Sequence, residues 1–189
     1  MDFIIYAGTS FFPNDAAIVN RPVNLSIHEN FFIDRGNDDL NDIRNDIALV
    51  KLSRPMIVSE QVKIILMTNI SHHPEERFVV PIFEIINESL FRLRIIQQVA
   101  IHPDACHMNT FNSSTQICTK GINAPCDGDS GSGLVKLDNG RSLLAGLLSF
   151  GLVCEETSAR NKQESRDIFV DVMAYRSWIE TKITLLLNS

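Results

Sequence analysis

The strongest constraint on this 189-residue chain is the return of short apolar runs between clusters of turn-forming residues. "FIIYAG", "VNLSIHENFFI", "DIALVKL", "FVVPIFEII", "LFRLRIIQQVAI", "SGLVKL", "SLLAGLLSFG" and "DIFVDV" read as strands. Between them lie "FPND", "DRGNDDLND", "SHHPEE", "LDNGR" and "EETSARNKQES". Many short strands with turn signals between them predict an all-β barrel or sandwich. In "KLDNGRSLL", Asn139-Gly140 suits a two-residue type I′ turn, because both central residues of that turn need positive φ. Only the C-terminus departs from the pattern. From Met173 onward, Tyr175, Trp178, Ile179, Ile183 and Leu186 recur at helical spacing, which predicts a closing helix with its apolar stripe against the core. No repeat, low-complexity tract or linker divides the chain, so one domain over residues 1–189 is expected.

Composition then excludes several functions. Hydrophobic residues make up 44% and charged ones 21%, enough apolar material for a packed core. The formal net charge of −6 argues against nucleic acid, whose binding needs a basic surface. No run reaches the roughly 18 apolar residues of a membrane span. The start, "MDFIIYAGTSFF", has an acidic second residue and no basic n-region, so it is a poor signal peptide.

The cysteines point to an oxidising compartment all the same. Cys106, Cys118, Cys126 and Cys154 all lie in the second half, and none has the close spacing of a zinc or redox pair. Two disulfides, and hence secretion, are the natural reading. Four glycosylation triplets agree with it, beginning at Asn24, Asn69, Asn87 and Asn112.

"CDGDSGSG" carries the chemistry. Ser130 lies between two glycines with Asp129 before it, the pattern of a nucleophile presented on a tight turn. Gly128, two residues earlier, leaves room for its N–H to approach a ligand. The Gly128 and Ser130 amides are candidate oxyanion donors. Upstream, "NDIALVKL" places Asp46 at the mouth of an apolar strand, where it could orient an imidazole or serve as an ordinary strand-start turn residue.

These segments together resemble the trypsin/chymotrypsin-like serine proteases. "NDIALVKL" looks like the family's aspartate motif and "CDGDSGSGLV" like its nucleophile motif. "LLAGLLSFG" resembles the strand that follows, and "IFVDVMAYRSWIE" the closing strand and helix. The resemblance covers nearly the whole chain. It implies a two-barrel all-β fold and serine-type endopeptidase activity on protein or peptide substrates, with protease inhibitors as further partners; the sequence itself shows no metal site and no cofactor is expected. Residue by residue, it implies Ser130 as nucleophile, Asp46 as the orienting acid, and Gly128 and Ser130 as oxyanion donors. It pairs Cys106 with Cys118 and Cys126 with Cys154. Ser149, Phe150 and Gly151 fall on the strand that lines the specificity pocket, with Phe150 in place of the usual tryptophan. Asp129 matches the aspartate that pairs with a new N-terminal ammonium after activation.

The chain also departs from the family. The family order is His, Asp, Ser, yet a single histidine, His28, precedes Asp46, and it lacks the Ala-Ala-His-Cys setting. His72 and His73 sit in a loop, and His102 and His107 flank Cys106, so none of the five is a good general base. The Ile-Val-Gly-Gly start is absent as well. A whole family domain runs to about 220–250 residues, a usual size for one all-β unit. The expectation is therefore a family domain without its first quarter: a first barrel left incomplete, Asp129 without its cation, and no efficient catalysis. A secreted, non-catalytic binding module is the alternative. Ser132 stands where the family has glycine. Ala124, six residues before Ser130, replaces the acid of trypsins at the pocket base, while Asp167 falls on the pocket's back wall. Asp167 is either a ligand for a basic side chain or a solvated acid beside the long loop.

Overall fold

The computed structural model describes residues 3–14, 16–35, 41–87, 90–121, 125–126, 128–151 and 165–188. In chain order these form β1 (Ile5–Ala7), β2 (Phe11–Phe12), β3 (Ile18–Asn20), β4 (Pro22–Ile27), β5 (Phe32–Arg35), β6 (Asn41–Arg44) and β7 (Ala48–Leu52). There follow β8 (Leu66–Met67), β9 (Arg77–Asn87), β10 (Leu90–Ala100), β11 (Gln116–Gly121), β12 (Gly133–Asp138), β13 (Arg141–Gly151), β14 (Ser165–Asp171) and α1 (Arg176–Leu187).

Alternation explains the second half. In a strand successive side chains point to opposite faces, and Phe78, Val80 and Ile82 of β9 are buried while Phe83 and Ile85 are exposed. The inward residues of six strands meet in one core: Phe78, Val80, Ile82, Ile96, Ala100, Ile117, Leu134, Ala145, Leu148 and Phe169. The strands run in the order β11-β14-β13-β12-β9-β10, and β10 pairs back onto β11 to close a barrel. β12 and β13 are joined at Asn139-Gly140, whose φ values of 48° and 77° are those of the expected I′ hairpin.

The first half is built differently. Among the described residues it forms three antiparallel ladders, β1–β3, β4–β7 and β5–β6, rather than a closed barrel, while β2 and β8 pair with β10 and β13 of the barrel sheet. "VNLSIHENFFI" is not one strand. It breaks into β4 and β5 at a turn closed by the Phe31 N–H on the His28 carbonyl at 2.9 Å. Alternation stops at the three polar residues His28, Glu29 and Asn30, which mark the turn in the sequence.

The helix starts at Arg176, after a turn in which the Ala174 N–H bonds the Asp171 carbonyl at 3.1 Å. The expected stripe is covered unevenly: Ile183 is exposed and Leu186 is half-buried. Tyr175 and Ile179 are buried with Ile47, Val170 and Val172, and Trp178 packs beside them. Ile183 remains 43% exposed. No helix among the described residues is long and apolar enough to cross a membrane.

Glu29 fastens this helix to the turn between β4 and β5. It accepts the Trp178 indole N–H at 2.8 Å and pairs with Lys182. The hydrogen bond from Lys182, then its own backbone N–H and that of Trp178, lower its pKa from 4.5 to about 2. A depressed carboxyl contributes its contact fully above the unfolded value of 4.5 and loses it as pH falls through about 2. Trp178 is the chain's single tryptophan. Its emission is expected to change as pH falls from 5 toward 2, and this component is expected to vanish in Glu29→Gln. Identical pH profiles for the two proteins would show that the carboxylate does not hold the contact.

Candidate active site

Ser130 is exposed on the loop leading into β12. Gly128 and Gly131 have φ of +94° and +86°, and a Cβ at either would meet nothing within 4 Å. The glycines are therefore required by backbone conformation and not by space. Two turn bonds shape the loop, Asp129 N–H to the Cys126 carbonyl at 2.9 Å and Ser132 N–H to the Asp129 carbonyl at 3.0 Å. Among the described residues neither the Gly128 nor the Ser130 N–H has an acceptor, so both remain open to a ligand.

The loop is gripped by one strand. Gly131 N–H donates to the Leu148 carbonyl at 2.8 Å, and Leu148 N–H donates to the Ser132 carbonyl at 2.9 Å. The next residue, Ser149, is the extra residue of a bulge. Leu148 pairs with Phe169 and Phe150 with Ile168, leaving Ser149 between them. Bulges re-aim side chains, and the Ser149 hydroxyl donates to Asp46 Oδ2 at 2.7 Å. Adjacent residues of β13 thus hold the Ser130 loop and the Asp46 carboxylate.

Asp46 is half-buried just before β7, and its neighbours are anchored. Asn45 is left-handed at φ 52°; it accepts the Tyr175 hydroxyl at 2.8 Å and donates to the Asn30 carbonyl at 2.7 Å. Burial pushes the Tyr175 phenol above its ordinary pKa. Ile47, on the other side, is buried in the cluster around Tyr175. Sequence reading did not single out Asn45 or Tyr175 for this, because their contact spans 130 residues. An asparagine beside an aspartate, ahead of an apolar strand, was the available signal.

No histidine joins this arrangement. His28 packs its ring against Tyr175 and Trp178 with centroids 5.4 and 5.0 Å away, and its Nδ1 accepts the Asn30 N–H at 3.2 Å. His72 lies 3.7 Å from Asp171, and His73 bonds the Pro74 carbonyl. His102 accepts the Asp104 N–H, and His107 has φ 54° in the loop that follows. Among the described residues none hydrogen bonds to Ser130 or Asp46.

Asp129 is buried with no cation beside it among the described residues. Its carboxylate accepts the Cys126 N–H at 2.8 Å and the Phe83 N–H at 3.4 Å. These donors compensate a charge that would otherwise be costly to bury.

At the end of β13, Phe150 packs beside Ile101, Cys106, Met108, Cys118 and Ile168. Cys106 and Cys118 form a disulfide there, with Cα atoms 6.1 Å apart. Gly151 stands opposite Asp167 of β14, and a Cβ on Gly151 would come within 2.6 Å of Asp167 Oδ1. Asp167 is only 1% exposed. Its Oδ2 accepts from Gln98 Nε2 at 2.8 Å, and Gln98 Oε1 accepts from the Thr119 hydroxyl at 3.0 Å. The side chain is buried in the barrel wall behind Gly151. Ala124 and the Cys126–Cys154 pairing lie outside the described residues.

Comparison with known proteins places this geometry. The chain is 29% identical over 180 residues to transmembrane protease serine 11G of Rattus norvegicus, covering 85% of this chain and 39% of that protein. It is 26% identical over 165 residues to chymotrypsin-C of Rattus norvegicus, covering 75% of this chain and 56% of that protein. The chain thus spans between two-fifths and a little over half of the curated relatives it matches. A solved structure titled "Structure of GrC" superposes with a TM-score of 0.74 at 20% identity, covering 96% of this chain and 77% of that one, which shows the fold. The trypsin family model matches residues 22–179. With that match over most of its length, a closed six-stranded barrel and a single C-terminal helix, the chain belongs to the trypsin family of serine proteases and has its all-β, chymotrypsin-like fold.

Proposed function

We propose that this chain carries the nucleophile, the orienting acid and the oxyanion donors of a serine endopeptidase. Ser130 attacks the scissile carbonyl, the Gly128 and Ser130 N–H groups receive the negative charge, and Asp46 orients and stabilises an imidazole. The observation that carries this reading is the clamp of Leu148 and Ser149, which ties the Ser130 loop and the Asp46 carboxylate to consecutive residues. No histidine of the chain meets Asp46, so residues 1–189 alone hold a prepared site without its base. A fluorophosphonate probe tests the assignment. It is expected to label Ser130 rapidly only when an imidazole is supplied against Asp46. Equal labelling of Ser130→Ala would refute the nucleophile.

Absence of a base also favours a second reading, a non-catalytic homologue that binds protein partners through the same cleft. Hydrolysis of peptide esters by residues 1–189 would count decisively against it. Under either reading the Cys106–Cys118 disulfide supports passage through an oxidising compartment and secretion.

For specificity, we assign Asp167 to the back wall of the pocket formed by Ser149, Phe150 and Gly151, where it favours a basic substrate side chain. Its support is a buried carboxylate lying directly behind Gly151. In a form of the protein that turns over, arginine substrates are expected to outrun phenylalanine and leucine substrates. Absence of that preference would leave Asp167 as part of the Gln98 and Thr119 network alone.

A further inference from the structure

The fold treats the Asn-x-Ser triplets of this chain unequally. Asn24 lies inside β4 opposite Lys51 of β7; it is half-buried, and its Oδ1 accepts the Leu25 N–H at 2.8 Å. Asn69 is exposed, but the hydroxyl of its Ser71 is turned to the Met173 sulfur at 3.8 Å. Asn87 ends β9, and residues 88–89 of its triplet lie outside the described residues.

Asn112 differs from all three. It is exposed in the turn that precedes β11, which the Thr115 N–H closes onto the Asn112 carbonyl at 3.1 Å. Asn112 Oδ1 accepts both the hydroxyl of Ser114 at 2.7 Å and its N–H at 3.0 Å. Its backbone N–H donates to Gln116 Oε1 at 2.8 Å. The carboxamide nitrogen, Nδ2, has no partner among the described residues. A hydroxyl donated to the carboxamide oxygen draws charge onto that oxygen and eases loss of an Nδ2 proton. Every hydrogen bond that shapes the turn uses Oδ1 or the backbone, so a substituent on Nδ2 disturbs none of them.

We propose that Asn112 is an acceptor of an N-linked glycan, a reading that rests on the passage through an oxidising compartment proposed above. The donor class is a lipid-linked oligosaccharide pyrophosphate. A bond forms between Asn112 Nδ2 and the anomeric carbon of the first sugar. The bond from that carbon to the pyrophosphate oxygen breaks, the lipid pyrophosphate departs with the electron pair, and Nδ2 gives up one proton. Nothing is oxidised or reduced. The sugar then stands on a surface turn, as its bulk requires.

The test is expression of residues 1–189 behind an appended export signal in eukaryotic cells. The appended signal carries the chain into the lumen whatever its own address, which separates the site from the localisation. Removal of N-linked sugars by an amidase is expected to convert Asn112 to aspartate, read by peptide mass. Asn112→Gln and Ser114→Ala are each expected to lose one glycan step on a gel, and Ser114→Thr to retain it. An unmodified Asn112 in the secreted chain, or a gel pattern unchanged by Asn112→Gln, would overturn the proposal.

Discussion

Supplying a histidine against Asp46, in a longer form of the protein or a designed extension, is expected to raise ester hydrolysis by on the order of a million-fold. Loss of the histidine costs about that much turnover in a subtilisin-type enzyme. The physical reason is that a serine hydroxyl is a weak nucleophile until a neighbouring base takes its proton. Ser130→Ala in the extended protein is expected to remove the whole gain. Asp46→Asn there is expected to lower turnover roughly ten-thousand-fold, since the amide favours the wrong imidazole tautomer. In residues 1–189 alone the same Asp46→Asn change is expected to matter little. Groups that act as a unit are far from additive, and that contrast is the sharpest check on the role of Asp46. Burst kinetics with an activated ester read all five proteins. Equal rates with and without the histidine would sink the assignment.

Phe169→Ala is expected to lower stability by about 3–5 kcal/mol. Phe169 is fully buried in β14, paired with Ile117 of β11 on one side and Leu148 of β13 on the other. Its Cβ also limits Gly146, where an added Cβ would meet it at 3.0 Å. A single domain is stable by only about 5–15 kcal/mol, so this loss is a large share of the total. Urea denaturation measures it. Phe11→Ala, at a side chain 44% exposed, is expected to change stability by less than about 0.5 kcal/mol. Comparable losses for the two would mean that the barrel core is not the principal source of stability.

What the sequence revealed, and what it hid, follows from the range of the interactions. Alternation in "FVVPIFEII" and "SLLAGLLSFG", and the Asn139-Gly140 turn, are local signals, and β9, β13 and the I′ hairpin follow from them. β11, "QICTKG", was not recognised because each of its two faces carries a polar residue: Gln116 on one and Thr119 on the other are buried by virtue of partners elsewhere in the chain. Gln116 donates to the Ile43 carbonyl and Thr119 to Gln98. No period shows such pairing. Ser130 and its glycines were legible because a tight turn must be written in neighbouring residues. The grip of Ser149 on Asp46 was not, since it joins residues 103 positions apart.

The two halves of the molecule also differ in how they can come apart. In the barrel every strand has a neighbour on each side, and β10 meets β11 to leave no end strand. A ring of this kind cannot fray. Releasing one member breaks two ladders at once and opens the shared core, so the ring comes apart as a unit. The ladders β1–β3 and β5–β6 close into no ring, and β6 is joined to the barrel through the Gln116 bond to the Ile43 carbonyl. Asp46 sits at the seam, following β6 in the loosely joined half and bonded to Ser149 in the ring. The position of the acid relative to Ser130 therefore depends on how firmly the less cooperative half stays docked, so the readiness of the site can be tuned without touching the ring that carries the nucleophile.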